Sequence, residues 1–439
     1  MNRPIKRFCF DGNIKYYGTD KEVLISDDYK EKDEELRGVW FSTVANIDIP
    51  KMTDTSVESQ EKLKEYLQDV IKTLKEYHMN TIIFQVRPVN DALYDSALNP
   101  WSSVLTGKEG TNPGFDVFGY FMDEAKKNSI EVHAWINPYR AGRVNIKEAN
   151  MTKEQFLETL APTNFARLHP ESTILTKENK LLLDPANEKV MEFVSDSIIE
   201  IASKYDIKAV HIDDYFYPYE DIADENEEEK KKKAGFEKTS DFRRDNVNKM
   251  IKLIHDKLQK LDKKVEFGIS PFGIYRTNSK FYENKDDEGA WELGSNNSSG
   301  CLTNYKGLYA DIYKWMEEGW IDYVVPQNYF DMDSTKLDDK NNEKCLVRYA
   351  DLADWWSWAA KKTNTKLYMG QAFYRYSKDG AWANPEEIPN QLKYNQNLDN
   401  VLGTIFFTYK DFHRDDCESI IKGKELLKKL WTKTPKHVK

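Results

Sequence analysis

Short apolar runs alternate with amphipathic stretches along most of the chain. The runs at Gly38–Thr43, Thr81–Arg87, Glu131–Asn137, Ala209–Asp214, Val265–Ser270, Tyr323–Gln327, Lys366–Gln371 and Gly403–Thr408 have the length and β-branched or aromatic content of buried strands. Apolar residues at helical spacing follow them at Glu58–Tyr77, Asp116–Asn128, Glu188–Tyr205, Phe242–Leu261, Tyr305–Glu318, Leu346–Lys361, Glu386–Asn395 and Cys417–Leu430. Strand–helix pairs repeated in this order predict an α/β chain that closes into a (β/α)8 TIM barrel. A doubly wound open sheet is the competing arrangement. Its phosphate loop is missing, because Phe41-Ser42-Thr43-Val44 stands where a glycine-rich turn belongs. The division that follows is an N-terminal extension over 1–36, expected to wrap the barrel base, a barrel over 37–432 and a basic tail over 433–439.

The connections are unequal. Long segments, Asn90–Phe115, Pro138–Asp184, Pro218–Asp241 and Pro271–Asn304, all follow strands, on the face where a barrel carries its active site. The fourth strand runs straight into chemistry: Val210-His211-Ile212-Asp213-Asp214-Tyr215-Phe216-Tyr217-Pro218-Tyr219. Val210 and Ile212 take one face, His211 and Asp213 the other, and a polar face on a buried strand needs a use. Other strand ends add Gln85 and Arg87, then His133, Trp135 and Asn137 followed by Tyr139 and Arg140, then Ser270, Gln327 with Tyr329, and Gln371. Together with Asp213 they suit hydrogen bonding to hydroxyl and acetamido groups, with Trp101, Trp135, Tyr215, Tyr217, Phe272 and Tyr329 as faces for sugar rings. Each aromatic taken alone also serves core packing. The charged run Asp224–Lys233 reads as a solvated helix end or loop tip.

Composition narrows the partners. A net charge of −10 over 439 residues argues against nucleic acid or an anionic membrane surface as the main target. Eleven Trp and twenty-five Tyr make a high aromatic share, which serves as sugar-stacking platforms as well as core in proteins with an oligosaccharide or polysaccharide substrate. No segment has the roughly twenty consecutive apolar residues of a membrane span. Arg3, Lys6 and Arg7 precede no apolar run, so no signal peptide is visible and the chain reads as cytoplasmic, or as one whose export signal has been removed. Cys9, Cys301, Cys345 and Cys417 lack metal-ligand spacing and are expected to be free buried thiols. Neither cofactor nor metal is expected, and the oligomeric state is not legible.

Several motifs in order carry a resemblance. Arg37-Gly38-Val39-Trp40, Gln85-Val86-Arg87-Pro88, Asp91-Ala92-Leu93-Tyr94, Pro100-Trp101-Ser102, His133-Ala134-Trp135-Ile136-Asn137-Pro138-Tyr139-Arg140, the strand-four stretch from His211 to Tyr219, Arg244-Asp245-Asn246-Val247-Asn248, Gly268-Ile269-Ser270-Pro271-Phe272-Gly273-Ile274 and Gly319-Trp320-Ile321-Asp322-Tyr323 are similar to the glycosyl-hydrolase-like family 10 barrels. The resemblance runs from Arg37 to at least Gln371. It implies a TIM barrel and a glycosidase of bacterial cell envelopes, in a family with a branch that cleaves peptidoglycan glycan strands stripped of their peptides. It also implies an envelope or secreted location.

Glycoside hydrolysis ordinarily takes two carboxyl groups. Asp213 and Asp214 are the catalytic candidates. Adjacent residues on an extended strand point apart, so Asp214 joins Asp213 only if the backbone turns at the strand end. Strand seven ends in Met369-Gly370-Gln371-Ala372-Phe373 without a carboxylate, which leaves Asp214, Asp331, Asp333 or Asp411 as the second group. Substrate assistance is one way out: a 2-acetamido carbonyl attacks the anomeric carbon, and the enzyme supplies one acid and one group that orients the acetamide. Arg87 and Arg140 can either bind a lactyl carboxylate or form structural ion pairs. His211 either orients Asp213 or is a core histidine. The alternatives are a metal-dependent deacetylase or hydrolase using His133, His211, Asp213 and Asp214, for which strand one lacks the usual HxH pair, and a barrel that binds glycan without cutting it.

Overall fold

The computed structural model describes residues 2–278, 288–334 and 345–439. Its centre is a closed barrel of eight strands, every neighbouring pair parallel. In chain order they are β1 (Leu36–Phe41), β2 (Thr81–Arg87), β3 (Glu131–Ile136), β4 (Ala209–Ile212), β5 (Glu266–Ile269), β6 (Tyr323–Val324), β7 (Lys366–Ala372) and β8 (Val401–Phe407). Each strand pairs with the next in sequence and β8 returns to β1, as the alternation of strand and helix predicts.

Two sets of side chains account for the closure. Leu36, Trp40, Ile83, Trp135, Ala209, Tyr323, Val325, Tyr368 and Ile405 form one buried cluster, the barrel filling. Residues of the opposite parity, such as Val39, Phe41, Ile82, Phe84, Val210 and Ile212, belong to a second cluster shared with the helices. Two glycines make room for the large rings inside. A Cβ on Gly268 would lie 1.8 Å from the Tyr323 ring, and one on Gly370 would lie 2.9 Å from Trp40.

The outer layer comprises α1 (Val57–Glu76), α2 (Val117–Lys127), α3 (Glu188–Lys204), α4 (Thr239–Leu258), α5 (Ile312–Glu317), α6 (Tyr349–Thr363), α7 (Glu387–Asn395) and α8 (Glu418–Leu430). Side-chain caps fix several starts: Ser56, Asp116 and Asn187 accept from Ser59, Gly119 and Lys189 N–H groups. Helix α5 is shorter than its apolar pattern predicts, with a separate turn at Asn304–Gly307 before it. Strand β6 also stops early. Pro326 has no N–H to continue the ladder, and only single bridges from Gln327 to Phe272 and Gly370 carry the pairing onward.

The long loops hold structure that their polar composition hides. Thr173–Thr176 pairs antiparallel with Leu181–Leu183 and Ile222–Ala223, tying the loop after β3 to the loop after β4. The charged run forms a helix, Glu227–Lys233, held by Lys230 to Asp184 and Asp224 and by Glu227 to Arg243. The cysteine expectation needs correction. Cys301 and Cys345 form a disulfide, Cys9 is exposed and Cys417 is a buried free thiol. The loops after β5 and β6 converge at the barrel mouth, a proximity that a separation of 44 residues does not announce.

The N-terminal extension differs from its expected course. Glu34 meets Lys436 at the base, but the preceding hairpin, with Asn2–Pro4 paired to Leu24–Ser26, lies against the α6–α7 flank. It buries Ile5, Ile14, Val23 and Ile25, joins Tyr16 to Tyr394 at 2.8 Å, and reaches the carboxyl-terminal rim where Arg7 meets Asp333 at 2.9 Å. Among the described residues no helix is long and apolar enough to cross a membrane.

Candidate active site

Strand β4 ends at Ile212, and the chain turns at once. The Tyr215 N–H donates to Asp213 Oδ1 at 3.1 Å, an Asx-type bond that folds the backbone back at the strand end. The alternation of a strand therefore does not extend to Asp214, and both carboxyl groups are buried at one place. Trp135, from β3, donates its Nε1–H to Asp213 Oδ2 at 3.2 Å. Tyr219 donates its hydroxyl to Asp214 Oδ2.

Electrostatics divide the pair. Burial pushes the Asp213 carboxyl up, while the Arg140 guanidinium and the donors Tyr215 N–H, Trp135 and Asn137 pull it back. Asp214 is raised to about 6, first by burial and then by the charge of Asp213, against the favourable donors Tyr219 and Gln327. Of two coupled carboxyls, the one with the cation and more donors keeps the charge and its neighbour takes the proton. Below about pH 6 the arrangement is thus a carboxylate beside a carboxylic acid. Tyr329, whose hydroxyl is pushed up by burial and by Tyr374, Asp214 and Asp213, closes the site on the β6 side.

Beneath the carboxyls runs a hydrogen-bonded chain of neutral rings. Trp40 Nε1–H donates to His211 Nε2 at 3.3 Å, so that nitrogen is an acceptor and the hydrogen of His211 sits on Nδ1. His211 Nδ1 then donates to the Tyr323 hydroxyl at 3.0 Å, and Tyr323 donates to His133 Nδ1 at 2.8 Å. Burial depresses both histidines, His133 to about 4 and His211 well below its ordinary value, which keeps them uncharged. Ser270 Oγ also lies 2.8 Å from His211 Nε2. His211 is a bonded interior histidine, not the group that orients Asp213; Trp135 and the Tyr215 N–H do that.

The remaining candidates separate by position. Asn137 Oδ1 accepts from the Arg140 N–H at 2.9 Å, and Arg140 stacks its guanidinium 4.3 Å from the Tyr215 ring centre. Both lie with Trp135, Gln327 and Tyr329 around the carboxyl pair. Gln85 instead accepts from the Thr43 and Val44 N–H groups at 2.9 and 2.8 Å and holds the end of β1. Arg87 is buried, with three of its five N–H donors given to Asn90, Asn99 and the Asn137 carbonyl, so it fixes the loops after β2 and β3 from inside the fold. Tyr139 and Tyr217 are buried in the core, Tyr217 accepting from Asn246 at 3.3 Å. Trp101 is bridged to Ala92 in the loop after β2, and Phe272 packs edge-on to Phe330. Gln371 is not brought to the mouth. It bonds Tyr349 and Gln391 in the helix layer, because Gly370 is the residue of β7 that faces Trp40.

The other possible second carboxyls are accounted for in the same way. Asp411 accepts from the Thr408 N–H at 3.1 Å and pairs with Arg414 at 3.3 Å. Asp333 pairs with Arg7, and Asp331 lines a different cavity. Sequence reasoning left out three aromatic residues, Trp40, Tyr374 and Phe407, which surround Tyr329, and did not pair Tyr219 with Asp214. Only Tyr219 carried a signal, its place in the Tyr-rich segment after the carboxyl pair. Among the described residues no group of three or more His, Cys, Asp and Glu is arranged to hold a metal ion.

Comparison with known proteins places this architecture. The family model for glycosyl hydrolase-like 10 matches residues 35–384. The chain belongs to that family. It is 36% identical over 391 residues to the glycosyl hydrolase YngK of Bacillus subtilis, covering 88% of this chain and 70% of that one. It is 31% identical to the glycosyl hydrolase DigH of Escherichia coli K12, covering 86% of this chain and 84% of that one. Among solved structures, an alpha-L-fucosidase from Paenibacillus thiaminolyticus superposes with a TM-score of 0.52 at 11% identity, over 90% of this chain and 50% of that one. The glycoside hydrolase domain of PgaB (BpsB) from Bordetella bronchiseptica gives 0.51 at 9%, over 92% and 99%. At such identities these two speak for the barrel fold alone.

Proposed function

We propose that the protein hydrolyses glycosidic bonds in an N-acetylated bacterial cell-wall glycan, peptidoglycan strands in the first instance, by substrate-assisted acid/base chemistry. The observation that carries the reading is the unequal environment of two adjacent carboxyls. Asp214, protonated, gives its proton to the glycosidic oxygen as the bond to the anomeric carbon breaks. The acetamido carbonyl oxygen attacks that carbon from the opposite face, and the Asp213 carboxylate accepts the acetamide N–H as positive charge develops there. Water then attacks the same carbon, Asp214 takes a proton from it, and the acetamide is released with the anomeric configuration retained. Arg140, stacked on Tyr215, and the Tyr329 hydroxyl supply donors beside the carboxyls. The family supports a carbohydrate substrate, and the absence of a carboxylate at the end of β7 favours the acetamide as nucleophile.

Mass spectrometry of products from peptide-free peptidoglycan strands and chitin oligomers tests this. The wild type is expected to release fragments in EDTA as well as without it, and Asp213→Asn and Asp214→Asn to lose roughly 10²–10⁴ of the rate. Equal turnover of matched glycans lacking the acetamide would refute substrate assistance. Glycan retained but never cut would leave a binding barrel.

A further inference from the structure

A cavity opens on the same rim, between the N-terminal hairpin and the loops after β6 and β7. Its volume is about 660 Å³, within the range of about 300–1,000 Å³ typical of small-ligand sites. We propose that it is a distal saccharide subsite, which takes a further pyranose unit of the same glycan strand. The proposal deepens the glycosidase reading and rests on it for the identity of the ligand.

The lining has the two elements a sugar ring requires. Phe8 and Phe10, in the hairpin turn, are 52% and 54% exposed and offer apolar faces to the C–H side of a ring. They are held in place: Lys6 bridges to Asn13 across the turn, Arg7 pairs with Asp333, and the Arg7 guanidinium stacks 4.5 Å from the Phe10 centre. Across from them the β6 and β7 loops contribute planar hydrogen-bonding groups, Asp331, Arg375 and Asn384, which match vicinal hydroxyls. Burial raises Asp331 to about 6 and Glu387 to about 8. At neutral pH Glu387 is therefore uncharged, while Asp331 is charged but faces Arg375 and Asp333 pairs with Arg7, so the cavity suits hydroxyl and acetamido groups better than a metal ion.

Position links this cavity to the carboxyl pair. Tyr329 and Tyr374 meet edge-on at 5.8 Å and wall the Asp214 site; the residues that follow them, Phe330–Asp331 and Arg375, line the cavity. One strand lying over that shared wall fills both sites. The hairpin that the sequence presents as a mere extension thereby becomes part of the glycan path.

The test uses the full chain carrying Asp214→Asn, which halts turnover, with and without Phe8→Ala and Phe10→Ala, and measures binding of chitin hexamer and dimer by calorimetry. Both phenylalanines are exposed, so the folded state is expected to be kept, and circular dichroism checks this. The double change is expected to weaken the hexamer roughly tenfold, about 1.4 kcal/mol, and to leave the dimer unchanged. An independent variant, Asn384→Ala, is expected to act in the same direction. Unchanged hexamer affinity, or equal loss for hexamer and dimer, overturns the subsite while leaving the glycosidase reading standing. Hexamer binding that depends on Phe8 and Phe10 in a wild type that cuts nothing supports the subsite and overturns catalysis. Absence of binding to either oligomer overturns both.

Discussion

Replacing Tyr219 by Phe tests the division of labour between the two carboxyls through pH. The Tyr219 hydroxyl donates to Asp214 and so favours its charged form. Removing it makes deprotonation harder, and Asp214 remains an acid to higher pH. A hydrogen bond to a charged group contributes about 1.5–3 kcal/mol, equivalent to roughly one to two pKa units at 1.36 kcal/mol each. Tyr219 is 50% exposed, so water replaces part of the bond, and about one unit is expected. In the wild type Asp214 titrates at about 6, so kcat/KM falls about tenfold per unit above that pH as the acid is lost. The assay is kcat/KM for chitin oligomers between pH 5 and 8, followed by reducing-end release. In Tyr219→Phe the alkaline limb should move up by about one unit. An unmoved limb, or one displaced to lower pH, would refute the assignment of Asp214 as the acid.

Tyr323→Phe removes one hydroxyl that serves both His211 and His133, leaving two buried ring nitrogens unpaired; a loss of about 2–5 kcal/mol is expected in urea unfolding, and a change under about 0.5 would show that the chain contributes little. His133 falls from 6.5 to about 4 in the fold, so the unfolded chain binds its proton first: stability is full above pH 6.5 and declines as pH falls toward 4, by about 2 kcal/mol at pH 5. His133→Asn should reduce that slope, with His211 keeping its own share, and a slope that persists unchanged would assign it to other groups. The Cys301–Cys345 disulfide closes a loop with a separation of 44, for which chain entropy gives about 4 kcal/mol as an upper figure, so reduction should lower the thermal midpoint; an identical midpoint in reductant would mean that the bridge constrains nothing.

The fold was legible because it is written in two periods. Buried strands and amphipathic helices repeat often enough that small errors at the ends, such as at α5 or β6, leave the topology intact. What stayed hidden depends on contacts distant in sequence. The sheet between the loops after β3 and β4 pairs Thr176 with Ile222, and no local pattern in a polar loop reports its partner. The disulfide and the course of the N-terminal hairpin were obscured for the same reason: Cys345 and Arg7 find Cys301 and Asp333 only after the barrel has closed.

For the site, alternation located Asp213 and failed one residue later. The rule that adjacent strand residues diverge held up to Ile212, and the Tyr215 N–H bond to Asp213 cancelled it by turning the chain. Gln371 fails differently: it lies within β7, where alternation holds, but Gly370 occupies the inward place and turns Gln371 to the helix layer. At the end of β4 the last regular residue decides which side chains face the ligand; in β7 the parity of the strand does. Trp40 shows the converse. Deep in β1 it had no polar neighbour to mark it, yet its N–H fixes the tautomer of His211 and its ring packs under Tyr329. The chemistry therefore sits on a floor built by core-forming residues, and substitutions such as Tyr323→Phe, two layers below the carboxyls, are expected to lower stability before they touch the acid limb of the pH profile.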